Sequence, residues 1–158
     1  MTSFTTQALD RLHALGLALP ANPPAPAGAY VAFRLDRGFG TLAAQVPGYG
    51  PDALTGRVGH ELTPEQGILA AQRAALNGLG RLHEALGGFD HLRGLMHVAG
   101  HVASAELFWE QPRILDGASR LFDAVLRERG QHTRTAFPAR RLPHNVSIEL
   151  AISFTYDE

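Results

Sequence analysis

The chain has 158 residues, is 45% hydrophobic, contains no cysteine, and balances 14 basic against 15 acidic side chains for a net charge of -1. That length suits one domain around one core, leaves no room for a second full domain, and needs no metal or disulfide to close it. Near-neutrality removes the positive field that a phosphate backbone or an anionic membrane selects, and the missing cysteines remove disulfide and thiolate chemistry.

The opening run MTSFTTQALDRLHALG lacks a basic segment followed by an apolar block and a cleavage site. No stretch approaches the ~18 apolar residues of a membrane span, so a cytoplasmic protein is expected. Leu9, Leu12 and Leu15 recur at helical spacing before Gly16, which predicts an amphipathic helix over 1–16. Pro20, Pro23, Pro24 and Pro26 then favour an extended, ordered arm over 17–29. The core is expected over 30–156, making 1–158 a single domain.

Tyr30 to Leu35 and Gly40 to Val46 flank Asp36-Arg37-Gly38, which reads as a hairpin and its turn. After an irregular, glycine-rich loop, Thr63-Pro64-Glu65-Gln66 has the form of a capping box with proline in the first helical turn. The helix it starts carries Ala75, Leu79, Leu82 and Leu86 on one stripe and stops at Gly87-Gly88. Leu92 to Val102 reads as a buried strand, and Pro112 opens a second helix with Leu115, Ala118, Phe122 and Val125 on its apolar face. Thr133 to Ala139 and Ser147 to Tyr156 read as strands, the last with Ile148, Leu150, Ile152 and Phe154 on one face and Glu149 on the other. This order predicts an α+β fold, a mixed sheet backed by two helices on one side.

The segment HTRTAFPARRLPHNVSIELAI places Leu142-Pro143 eight residues after Arg134 and Glu149 fifteen after it. That spacing resembles the signature of the RidA/YjgF family. AGAYVAF, with Tyr30, and LAAQVP, with Gln45 and Pro47, are similar to two further family stretches. LGLALP, TGRVGHELTPEQG, HVASAELFWEQP and DGASRLF resemble a longer subgroup distinct from the archetypal imine deaminases. The resemblance covers roughly 17–156 and implies a chorismate-mutase-like fold. It also implies a homotrimer around a central barrel, with small-molecule clefts between neighbours.

By that resemblance, Arg134 holds a substrate carboxylate while Glu149 and Tyr30 help activate water against an enamine or imine, releasing ammonia and a 2-oxo acid. Ala44 and Ala136 are then expected to line the substrate, and His132, two residues before Arg134 and on the same face of an extended strand, is expected either to donate to it or to sit at the rim. A guanidinium suits the first role because its fork of donors matches a carboxylate and keeps its charge; a strand carboxylate suits proton shuttling. The plainer alternatives are a surface ion pair for Arg134, a salt bridge for Glu149 and a rim or core aromatic for Tyr30. Ala44 stands where the archetype has glycine, and Ala151 replaces a second strand acid. The other functions kept open are a carboxylate-binding or regulatory protein without turnover and an endoribonuclease or translation inhibitor.

Arg140, in Phe-Pro-Ala-Arg, competes for the arginine role. Choosing it removes six residues from what reads as a hairpin between the last two strands, whose register cannot slip freely. His97 and His101 lack a third ligand and an HExxH glutamate, and Gly38-Phe39-Gly40 is no dinucleotide fingerprint. No metal and no cofactor are expected.

Overall fold

The computed structural model describes all residues, Met1 to Glu158. A five-stranded sheet in the order β1-β2-β5-β3-β4 is built from β1 (Phe33–Asp36), β2 (Phe39–Gln45), β3 (Leu92–Ala103), β4 (Thr133–Ala139) and β5 (Ile148–Tyr156). Every neighbouring pair is antiparallel except β3 and β4, which run parallel. Helices α2 (Pro64–Leu86) and α3 (Gln111–Leu126) back the sheet, and the shorter α1 (Phe4–Ala14) packs against α3.

The predicted α+β order is the observed one, and its local causes are visible. Arg37 and Gly38, between β1 and β2, both have positive φ, as a two-residue hairpin turn of matching twist requires. Thr63 Oγ1 accepts from Gln66 N while Gln66 Oε1 accepts from Thr63 N, closing the capping box, and Gly87 ends α2 in the left-handed region. Along β5 the residues Ile148, Leu150, Ile152 and Phe154 are all buried, joined in one core by Leu115, Phe122, Leu79 and Leu82 from the helices.

Three expectations change. Tyr30 lies before the first strand, which begins at Phe33, and the buried pair on α1 is Ala8 and Leu12, with Leu15 exposed past the helix end. More consequential, β4 and β5 do not form a hairpin. Both pair with β3, which lies between them, so 140–147 is a connection across a strand and the register argument against Arg140 does not apply. Arg140 lies beyond the end of β4 and is exposed.

Glycines fix how closely the helices approach. A Cβ on Gly100 of β3 would strike Leu115 of α3, and one on Gly117 of α3 would strike the backbone carbonyl of Ile68 in α2. These contacts set the height and rotation of α3 over the sheet, and with them the direction of the polar stripe beside its apolar face.

Candidate functional site

That stripe is Pro112, Asp116 and Ser119, residues spaced to share one helix face. It meets Arg134 on the edge strand β4. Arg134 Nη1 donates to Asp116 Oδ1 at 2.9 Å and to Ser119 Oγ at 3.0 Å, while Nη2 donates to the Pro112 carbonyl at 3.1 Å. The side chain is 22% exposed, so the guanidinium lies along the protein surface, held there by three hydrogen bonds.

His132, two residues earlier on the same strand side, joins the network. Its Nδ1 lies 2.6 Å from the Gly130 carbonyl, to which it donates, and its Nε2 lies 2.9 Å from Ser119 Oγ. Ser119 Oγ thus accepts from Arg134 and is hydrogen-bonded to His132. Ser119, Arg120, Asp123, Gln131, His132 and Arg134 line an open hollow of about 470 Å³ with no hydrophobic wall.

The sheet separates the other expected residues from this network. Val98 pairs with both Arg134 and Ile152, so Arg134 and Ala136 share the helix-facing side of the sheet. Glu149 pairs with His101, which also pairs with Phe137, on the opposite side. Within one chain Arg134 and Glu149 therefore lie on opposite faces with β3 between them.

Glu149 is partly exposed and enters none of the ion pairs of the chain. One of its neighbours is aromatic. Tyr49, which sequence reading passed over, has its pKa raised by burial first, then by Tyr30 and Glu149. Tyr49 also packs edge-on against His144 with centroids 5.3 Å apart.

Tyr30, Ala44, Gln45, Tyr49 and Arg81 line a crevice of only about 10 Å³, room for about one water. Ala44 is exposed in a β-bulge of β2, where the pairing with β5 shifts between Leu42 and Gln45, and bulges of this kind re-aim side chains. Tyr30 is half exposed, and its hydroxyl accepts from Ala27 N at 3.0 Å. Buried Arg81 ties the proline arm that leads to Tyr30 onto α2, donating from Nη2 to the carbonyls of Pro23 and Pro24.

The expected residues therefore fall into two groups. Arg134, Ala136 and His132 lie toward α3; Tyr30, Ala44 and Glu149 lie about β2 and the open face of β5. Chemically, the first group offers an anion clamp and the second a carboxylate with hydroxyls. His97 is engaged by strand threonines, Nδ1 at 2.8 Å from Thr133 Oγ1 and Nε2 at 3.3 Å from Thr135 Oγ1, while His101 stacks on Phe137. No group of three or more histidine or acidic side chains gathers as metal ligands, and no helix is long and apolar enough to cross a membrane.

Asp116 and Ser119 are functional candidates that sequence reading missed. Their signal is two polar residues three apart, bordering an apolar stripe and following Pro112 at helical spacing.

No family model matches the chain. Protein TCP17 of Trypanosoma cruzi is 32% identical over 141 residues, 88% of each chain. The crystal structure of Atu1372 from Agrobacterium tumefaciens, a protein of unknown function, superposes with a TM-score of 0.88 at 32% identity, covering 98% of this chain and 95% of that one. A proposed endoribonuclease of Shewanella oneidensis matches with a TM-score of 0.88 at 26% identity, covering 94% and 99%. More distant structures share the fold: RidA of an Antarctic Psychrobacter, with a TM-score of 0.57, 20% identity and coverage of 84% and 92%, and Escherichia coli TdcF with bound serine, with 0.59, 16%, and 85% and 93%.

Proposed function

Because the chain belongs to the RidA/YjgF family, we propose that it hydrolyses small reactive enamines or imines bearing a carboxylate, in a cleft between subunits of a homotrimer. The reaction converts a 2-imino acid and water into a 2-oxo acid and ammonia. Water oxygen bonds to the imine carbon, the C–N bond breaks, and nitrogen leaves with the protons the water supplied.

The observation that carries this reading is the state of Arg134. Three of the five guanidinium N–H groups are spent on Asp116, Ser119 and Pro112. The Nε hydrogen and one Nη2 hydrogen have no partner in the chain, and those two atoms border one edge of the plane. A carboxylate can take that edge bidentately, on a cation already held in place. A TdcF structure with bound serine supports small carboxylates as ligands of this fold.

The reading assigns the remaining chemistry to Tyr30, Ala44 and Glu149 of an adjacent copy, because one chain holds them across the sheet from Arg134. Glu149 accepts a proton from water as it adds to the protonated imine and returns one to the departing nitrogen; Tyr30 orients the water. Imines of this kind hydrolyse unaided in water, so positioning and one proton shuttle are sufficient.

Ammonia and 2-oxo acid release from freshly generated 2-iminopropanoate tests the proposal. Wild type is expected to accelerate release and Arg134→Ala to lose the effect; equal rates for the two proteins remove the reading.

A second reading, carboxylate binding without turnover, is favoured by one observation, the placement of Arg134 and Glu149 on opposite faces. It predicts calorimetric binding of 2-oxobutanoate with no acceleration of imine loss. The endoribonuclease proposed for the Shewanella neighbour finds no support in the net charge of -1, since phosphate-backbone binding draws on a positive field.

A further inference from the structure

We infer that Trp109 forms a side-chain subsite beside Arg134, so that the ligands preferred here are 2-imino acids and related carboxylates ending in an aromatic group. The inference rests on Arg134 being the carboxylate clamp and adds to it what receives the rest of the molecule.

Trp109 lies in HVASAELFWEQP, a stretch that the proposed chemistry leaves unused. It is 77% exposed, and an indole left in water marks a binding surface when the backbone beneath it is fixed. Here it is fixed. Buried Gln111 donates from Nε2 to the Phe108 carbonyl at 2.7 Å and to Ser104 Oγ at 3.1 Å, and Phe108 N donates to the Ala105 carbonyl at 3.0 Å. Phe108 also rests on Gly59, where a Cβ would come within 3.2 Å of its ring. Trp109, Phe108, Ala105 and Pro138 wall a hollow of about 470 Å³, a volume in the range of small-molecule sites.

The hollow lies along the same groove as Arg134. Arg134, Ala136 and Pro138 alternate onto the helix-facing side of β4, paired with Val98, Gly100 and Val102 of β3. His132 meets Ser119, Arg134 meets Asp116, and Pro138 shares the hollow with Gln111, so α3 runs back along β4 and begins at the Trp109 end. Arg134 Nη1 serves Asp116 and Ser119, whereas Nη2 reaches Pro112 in the first turn of α3. The free edge, which includes Nη2 and lies opposite Nη1, is therefore on the Pro112 side, three residues from Trp109.

A strand rises ~3.3 Å per residue, which puts Pro138 about 13 Å along β4 from Arg134. The guanidinium leans over part of that distance, and a carboxylate on its free edge leaves an acyl chain with a terminal ring to span the rest. The hollow around His132, at the other end of the groove, has no hydrophobic wall and offers such a ring nothing.

Two acids with one head group and one charge isolate the effect: 2-oxobutanoate and 2-oxo-4-phenylbutanoate, which differ by a phenyl group and do not turn over by this chemistry. Calorimetry compares wild type, Trp109→Ala and Arg134→Ala. Wild type is expected to bind the phenyl acid roughly tenfold more tightly, the scale of one aromatic contact. Trp109→Ala loses that advantage and keeps its affinity for 2-oxobutanoate; the side chain is exposed, so its removal leaves the core intact. Arg134→Ala loses both acids.

Equal affinities in wild type, or an undiminished phenyl preference in Trp109→Ala, overturn the subsite and leave the clamp standing, provided Arg134→Ala loses both ligands. Retention of either acid by Arg134→Ala, or binding of neither by wild type, overturns the clamp and this inference together.

Discussion

Arg134 and Asp116 grip one another across the gap between β4 and α3, and the contact is geometrically restrictive because Nη1 serves Asp116 and Ser119 at once. An ammonium on a flexible stem cannot reproduce three directed contacts and still present a planar pair of donors. Arg134→Lys is therefore expected to behave like Arg134→Ala, with carboxylate affinity and imine turnover both down at least about tenfold. Calorimetry and the ammonia assay check it, and near-wild-type values in the lysine variant would show that charge alone suffices.

The rotation of α3 that aims Asp116 and Ser119 at Arg134 depends on the bare backbone of Gly117. An added methyl there meets the Ile68 carbonyl of α2, and a backbone atom cannot swing aside as a side-chain tip can. Gly117→Ala is expected to destabilise the fold by about 1–3 kcal/mol, the usual range for overpacking. In a chain of this length that lowers the melting temperature by several degrees. Thermal unfolding measures it; an unchanged melting temperature would mean that α2 and α3 are not in such close contact.

Much of the fold was legible because its signals are local. The capping box at Thr63 and Gln66, the Gly87 stop and the alternation from Ile148 to Phe154 each lie within one element. The face occupied by Arg134 relative to Glu149 was not, because it depends on which strand lies between β4 and β5. Local sequence favours a hairpin across 140–147; the burial of β3 between the two strands is decided by the whole sheet. Asp116 and Ser119 were overlooked for a related reason. Attention to the apolar stripe of α3 says what faces the core but not that the bordering polar stripe faces an edge strand.

Arg81 links the arm to the rest of the molecule. Its side chain is only 8% exposed, Nη1 pairs with Glu84 at 2.5 Å, and Nη2 holds two proline carbonyls. The arm can lie that close because Gly80 has no side chain, as a Cβ there would come within 2.8 Å of Pro20. Arg81→Met keeps the apolar stem and removes the hydrogen bonds, worth roughly 1–3 kcal/mol where carbonyls lose a charged donor. Residues 17–29 are expected to become sensitive to limited proteolysis, with turnover falling as Tyr30 loses its support. Resistance equal to wild type would show that proline packing alone holds the arm.

Asp90 fastens α1 in a pH-dependent way. Its carboxylate accepts from the Thr5 hydroxyl at 2.7 Å and from the backbone N–H groups of Thr5 at 3.4 Å and Phe4 at 2.8 Å. The Thr5 hydroxyl is the largest cause of a lowered pKa; the two N–H groups and Arg129 add to it against partial desolvation. A carboxylate with a folded pKa below its unfolded value contributes its full stability above the unfolded value, about pH 4, and loses it as pH falls through the folded value. Hydrogen exchange at the amides of α1 is therefore expected to hold steady from neutrality to about pH 5 and to lose protection below about pH 4. In Asp90→Asn protection is weaker throughout and this acid-dependent step disappears. Acid-independent protection of α1 in wild type would assign its anchorage to the Ser3 cap and the packing of Phe4 under Arg129, whose guanidinium carbon lies 3.9 Å from the ring centre.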